Sequence, residues 1–268
     1  MNNNIIVYFT FWLYPLHIMH NKNIFNILAS YKKIIYKSGV FDRKYLLNYA
    51  LTMSFLHKDF ECRYDIIELL MQNSANIYGD NNHALQWASR NGRYNIVKTL
   101  IENGAITYMY SSYDHRSLQY ASEGGHFDIV KLLIQNGADV NAGDDNALRY
   151  SSARGHYDIV KFLIENGADV CANSNHAIRW SSENGHYDIV KLLISSGANI
   201  HADNEYALQW ASLKGHYKIV KLLIKNGANV RADKDLALRF AAKNDHQDIV
   251  ELLLENGADI HNTHICIE

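Results

Sequence analysis

A chain of 268 residues, 48% of them hydrophobic, is long enough to bury a sizeable core. Its formal net charge of −2 and sequence pI of about 6.7 give no electrostatic case for nucleic acid or for a polybasic membrane anchor. Cys62, Cys171 and Cys266 are odd in number, far apart and without metal-ligand spacing, which argues against a secreted disulfide framework and points to a reducing compartment, the cytoplasm.

Residues 1–43 form a degenerate N-terminal segment. Ile5–Met19 is apolar and aromatic but falls short of the about 20 residues that span a bilayer. It contains Pro15 and His17, and no Lys or Arg precedes Lys22, as a signal peptide would require. The preferred reading is a helical cap over the first repeat. A membrane or export segment and an unstructured extension are the alternatives.

From residue 44 to residue 260 the chain repeats itself, about seven times, with the first copy degenerate. Asn146–Ala172 and His176–Ala202 are near copies, and further copies start at Tyr206 and Leu236. Ala147, Ala177, Ala207 and Ala237 stand thirty residues apart; upstream, Ser117 and Ala84 hold the same place. A more degenerate unit ends in Asp65–Ile77, and residues 261–268 form a tail.

Each unit reads as two helices and a turn. Asn82, Asp145, Asn175 and Asp235 precede the first helix, where their side chains are expected to cap free amides. The helix over Ala147–Arg154 ends at Gly155. Asp158 is expected to cap the second helix, whose Ile159, Val160, Leu163 and Ile164 fall on one face. Gly167 stops that helix, and Ala168–Val170 reads as a short extended exit. One unit cannot bury its own apolar face, so neighbours must stack at roughly helix-packing distance, about 8–10 Å. In the last unit Asp245, Gln247 and Glu251 replace Gly, Tyr and Lys, the added polarity of a capping repeat.

The recurring Gly-His-x-x-Ile-Val and Leu-Ile-x-Asn-Gly-Ala blocks, in one phase from about Asp65 to Ile260, resemble the ankyrin repeat. The thirty-residue variant, with openings such as Ala177-Ile178-Arg179-Trp180, is similar to ankyrin proteins of giant DNA viruses that infect amoebae. The resemblance implies an all-α ankyrin-repeat solenoid of stacked helix-turn-helix units with short finger turns. It implies a non-catalytic adaptor that binds a protein, a host protein if the chain is viral, on a concave face lined by first helices and fingers. The chain departs from the family at the Thr-Pro pair, replaced for example by Asn146-Ala147 and His176-Ala177. Arg149, Arg179, Gln209 and Arg239 stand where the family has His. Three residues are missing between Ala172 and His176, so the family's β-hairpin finger must be shortened here.

The pairs His126/Asp128, His156/Asp158, His186/Asp188 and His246/Asp248 look like held general bases. They recur unit after unit, as scaffold does; a catalytic site assembles once. Equivalent histidines about 8–10 Å apart cannot share one zinc ion with ligand distances of about 2 Å. No phosphate loop or nucleophile motif occurs, so no cofactor and no small-molecule substrate is expected. Lys98, Lys131, Lys161, Lys191 and Lys221 form a stripe read mainly as a solvated outer face; a nucleic-acid-associated or membrane-associated protein is the alternative function.

Trp87, Tyr120, Tyr150, Trp180, Trp210 and Phe240 occupy one first-helix position, as natural anchors for a partner or as rings packed unit on unit. Positions that vary between units are sharper candidates: Asn141, Cys171, His201 and Arg231 in the finger, Asp203 and Asp233 near its tip, and Arg90, Glu123, Ala153, Glu183, Leu213 and Lys243 at the first-helix end. The longer finger Ala105–Arg116 adds Tyr108, Tyr110 and Tyr113.

Overall fold

The helical face that needs a neighbour finds one in the computed structural model, which describes residues 83–102, 116–259 and 261. All of them belong to one unit, Asp80–Glu268. Twelve helices and no strand occur among the described residues. They are α1 His83–Arg90, α2 Tyr94–Glu102, α3 Arg116–Glu123, α4 Phe127–Gln135, α5 Ala142–Arg154, α6 Tyr157–Glu165, α7 Ala172–Glu183, α8 Tyr187–Ser195, α9 Ala202–Leu213, α10 Tyr217–Lys225, α11 Ala232–Lys243 and α12 Gln247–Glu255. The segment 1–43, Asn82 and most of the 261–268 tail lie outside the described residues.

First helices pack on the first helices of the units before and after; second helices pack on their own first helix and on neighbouring second helices. Leu85, Leu118, Leu148, Ile178, Leu208 and Leu238 fill the layer between first helices. Ala88, Ala121, Ser151, Ser181, Ala211 and Ala241 are buried beside them, and their small side chains let the backbones approach closely. The second helices contribute an Ile-Val pair and a Leu each, such as Ile159, Val160 and Leu163. Ile164 is only half-buried. The apolar layer therefore runs from unit to unit with no break among the described residues.

The histidine of each unit reaches back to the unit before. His126, His156, His186, His216 and His246 each bond through Nε2, at 3.0–3.1 Å, to a backbone carbonyl near the end of the preceding first helix. The acceptors are Arg90, Glu123, Ala153, Glu183 and Leu213. The ring lies over the preceding loop glycine. A Cβ built on Gly185 would come within 2.7 Å of Cε1 of His216. Asp245, also at positive φ (58°), carries the side chain that the earlier glycines omit.

Two capping expectations need correction. The residue flanking each of α4, α6, α8, α10 and α12 is the histidine, with no side-chain cap bond; Asp128, Asp158, Asp188 and Asp248 sit inside the first turn. There they favour the helix through its macrodipole. Asp145 and Asn175 do not cap their own helices either. Asp145 Oδ1 accepts from the amide of Asp169 (2.9 Å), Asn175 Oδ1 from that of Asn199 (2.7 Å), and Asp235 Oδ1 from that of Asp259 (2.9 Å). Glu205 Oε1 does the same for Asn229 (3.1 Å). Each of these buried side chains ties its finger to the following one, across the helical pair between them.

The finger is not a shortened hairpin, and Ala168–Val170 leads into a turn rather than a strand. Three consecutive residues adopt left-handed backbone in each of four units: Gly143-Asp144-Asp145, Asn173-Ser174-Asn175, Asp203-Asn204-Glu205 and Asp233-Lys234-Asp235. This conformation costs L-residues about 1–2 kcal/mol each, and Gly, Asn and Asp tolerate it best. Nine of the twelve positions carry one of those three residues. Hydrogen bonds worth roughly 1 kcal/mol net apiece help offset the cost. They include the finger-to-finger bonds and a turn in which Asp169, Asn199 or Asn229 accepts from the amide two residues on.

Gly185 and Gly197 separate backbone conformation from steric contact. Both have positive φ, but a Cβ at Gly197 meets nothing within 4 Å. Gly197→Ala is expected to cost about 1 kcal/mol, the left-handed term alone, and Gly185→Ala about 2–3 kcal/mol because the His216 ring must also move. Urea unfolding of both variants checks this; equal losses would mean that the ring contact contributes nothing.

Candidate functional site

The first helices place one large aromatic side chain per unit on a common face. Trp87, Tyr120, Tyr150, Trp180, Trp210 and Phe240 are all half-buried. Tyr150 packs on Trp180 with ring centroids 5.9 Å apart, and Trp210 on Phe240 at 6.3 Å, both pairs inclined rather than stacked. Each ring thus uses part of its surface for the neighbouring unit and keeps part open. Packing between units therefore accounts for part of the surface of these four rings.

The middle units add side chains that the period alone did not single out. His176 packs edge-on against Trp180 at 4.9 Å, and Tyr206 stacks on Trp210 at 5.3 Å. Arg149 lies over Trp180 (5.5 Å), Arg179 over Tyr206 (4.3 Å) and Arg90 over Tyr120 (5.1 Å). The Tyr206 hydroxyl donates to Glu183 Oε2 at 3.0 Å. Burial, reinforced by that carboxylate, pushes the Tyr206 phenol up to about 12. Burial also lowers the pKa of His176. The signal for Tyr206 was present: its position reads Asn146, His176, Tyr206 and Leu236, a variable place opening the first helix.

The arginines brace fingers as well as rings. Arg179 pairs with Asp203 of the next finger at 2.6 Å. Arg149 donates to Asn146 Oδ1 at 3.0 Å and Arg239 to the Asp233 carbonyl at 3.2 Å. Gln209, which is buried, donates to the Asn204 carbonyl at 2.6 Å.

The variable finger residues are exposed, but each answers to a neighbour within the chain. His201 Nδ1 meets Glu205 at 2.6 Å, and Arg231 meets both Asp235 (3.6 Å) and Asp259 (3.2 Å). Asn141, with its amide oriented by its hydrogen-bond partners, donates to Asp145 at 2.8 Å and to the Gly167 carbonyl at 3.0 Å. Cys171, opposite the uncharged Asn175, directs its thiol to the Gly197 carbonyl at 3.6 Å. Variation there tracks the acid or amide four residues on. Asp203 and Asp233 are exposed at the tip. Of the helix-end candidates, Arg90 and Lys243 are exposed and Ala153 and Leu213 half-buried; Glu123 and Glu183, half-buried, hold Arg154 (2.9 Å) and Tyr206. Tyr108, Tyr110 and Tyr113 lie outside the described residues.

The His–Asp pairs do not form dyads. The Nε2 atoms of His126, His156, His186 and His246 are committed to backbone carbonyls, not to the aspartate two residues on. Among the described residues no three His, Cys, Asp or Glu side chains stand together as a metal-binding group, and no helix is long and apolar enough to cross a membrane.

The stacked helical pairs with histidine ladders match the family described as ankyrin repeats (3 copies) over residues 108–174 and 176–264, and the single ankyrin repeat over 80–109. The chain belongs to the ankyrin repeat family. Among solved structures it is similar to the ankyrin repeat domain of human ASB11, at 27% identity and a TM-score of 0.60, covering 66% of this chain and 84% of that one. No curated protein matches it. Ankyrin repeats are, in general, protein-protein interaction modules, and their fold is typically a non-enzymatic scaffold.

The buried acid of the first complete finger makes a pH-dependent prediction. Burial pushes the Asp145 carboxyl above 3.8, partly opposed by the bond from the Asp169 amide and reinforced by the charges of Asp169, Asp139 and Asp144. A proton held more tightly in the folded state means that stability falls as pH rises from 3.8 through the folded pKa. Asn175 makes the same finger-to-finger bond without a charge. Asp145→Asn is therefore expected to melt higher than the parent at pH 7, with the gain shrinking as pH falls toward 4. Melting curves across that range check it; a gain constant with pH would remove the titration from the account.

Proposed function

We propose that the chain is a non-catalytic adaptor that binds a partner protein on the concave face made by its first helices and fingers. The observation that carries this reading is the row of half-open rings at Tyr150, Trp180, Trp210 and Phe240, held by packing that leaves little side-chain freedom to be lost on binding. Rigid aromatic anchors of this type dominate protein interfaces. Arg149 and Arg179 beside them, with Tyr206, His201, Asp203 and Asp233 around them, supply a polar rim. A face of about 800 Å² per partner is the usual size for such contacts. We read the thirty-residue period as that of a viral ankyrin protein acting on a host protein in the host cytoplasm.

Trp180→Ala combined with Trp210→Ala is expected to weaken the partner by more than about tenfold, since hot-spot truncations cost about 2 kcal/mol or more each. Affinity capture with the intact chain and with the double variant, read by mass spectrometry, identifies the protein whose recovery depends on the two rings. Circular dichroism of the variant should keep its helical signal. Loss of that signal would make the stripe core rather than contact surface.

A further inference from the structure

On the outer face of the second helices, α10 alone among the described units gains cations at both the second and the last helical positions. Lys218 occupies the place held by Asp128, Asp158, Asp188 and Asp248 in the first turns of the other units. A cation there opposes the positive end of the helix dipole. Lys225 stands where Glu102 and Glu165 pair with Lys98 (3.9 Å) and Lys161 (4.0 Å), so at α10 the pair Lys221/Lys225 is like-charged instead. Such a pair disfavours the helix. Lys214, just before the α10 loop, and Lys191, at the same helix position as Lys221 but on the adjoining α8, complete the group. All five lysines are exposed, and none forms an ion pair among the described residues. Tyr187 and Tyr217 lie half-buried beside them, with Lys221 Nζ 5.9 Å from the Tyr217 ring. The repeat could have placed carboxylates at residues 218 and 225, as its sister units do, at no cost to packing. It carries unneutralised charge there against the preference of the helix.

We propose that this patch docks a short acidic peptide segment, on the opposite helix layer from the aromatic row and independently of it. The borders select the occupant. Asp188 flanks the patch on α8, and Asp248, Glu251 and Glu255 flank it on α12. The nine-residue α10 is about 13 Å long at 1.5 Å per residue. A nucleic-acid duplex or a lipid surface extends past both borders and meets those carboxylates. A few glutamates or aspartates in an extended segment fit between them, with the tyrosine rings available to the segment's apolar side chains.

Fluorescence anisotropy of a labelled peptide of about ten residues, rich in glutamate, titrated with the full chain at low salt tests this. Saturable binding is expected, weakened by added salt. Lys218→Asp with Lys225→Glu should lower the affinity about tenfold or more while keeping or raising the melting temperature, because both residues already occupy these places in sister units. Lys98→Glu with Lys161→Glu changes the net charge equally outside the patch and should leave the affinity within about twofold. Trp180→Ala with Trp210→Ala should also leave it unchanged. The proposal is overturned if the α10 variant binds as the parent does, if the two lysine pairs weaken binding alike, or if a duplex oligonucleotide or an anionic vesicle binds the patch more tightly than the peptide.

Discussion

Among the described residues no helical pair buries its own apolar face alone, and everything else in the unit follows from that shortage. The Ile-Val pair and leucine of each second helix, and the single large aliphatic residue of each first helix, become fully covered only when a neighbour closes over them. The polar links obey the same rule. The histidine bond to a preceding helix end crosses the unit boundary, and the finger acid's bond to a following amide joins one finger to the next. A unit removed from the stack would lose its core and its buried hydrogen bonds together, which makes stability a property of neighbours rather than of single repeats.

The helical layers were legible because their cause is periodic. Apolar spacing on Tyr157–Glu165 and the thirty-residue recurrence of Ala147, Ala177 and Ala207 report burial directly. The finger was not legible in the same way. Left-handed backbone over Asp203-Asn204-Glu205 leaves no period to read, and an Asp before a helix looks like a cap until its partner amide, twenty-four residues on, is in place. The family comparison compounded the difficulty, since removing three residues from a hairpin does not make a smaller hairpin. It makes a different turn.

The candidate site divides along the same line. The aromatic row could be picked out from its spacing alone, and its half-buried state shows why spacing could not choose between packing and contact. The finger positions vary between units, and His201 varies with Glu205 and Arg231 with Asp235. Variation between repeats reports adaptation to any irregular neighbour, and here part of that neighbour is the chain itself. Lys218 and Lys225 are the contrasting case: no carboxylate among the described residues answers their departure from the repeat.

The histidine resting on a glycine gives each unit a plug on one side and a socket on the other. Because the two differ, units join in a single orientation, and any number of them can be strung together so long as every socket is kept bare. At Asp245 the socket is filled by a side chain at φ 58°, so a further histidine of the same design has no seat there. Seating one there would begin with the removal of a carboxylate.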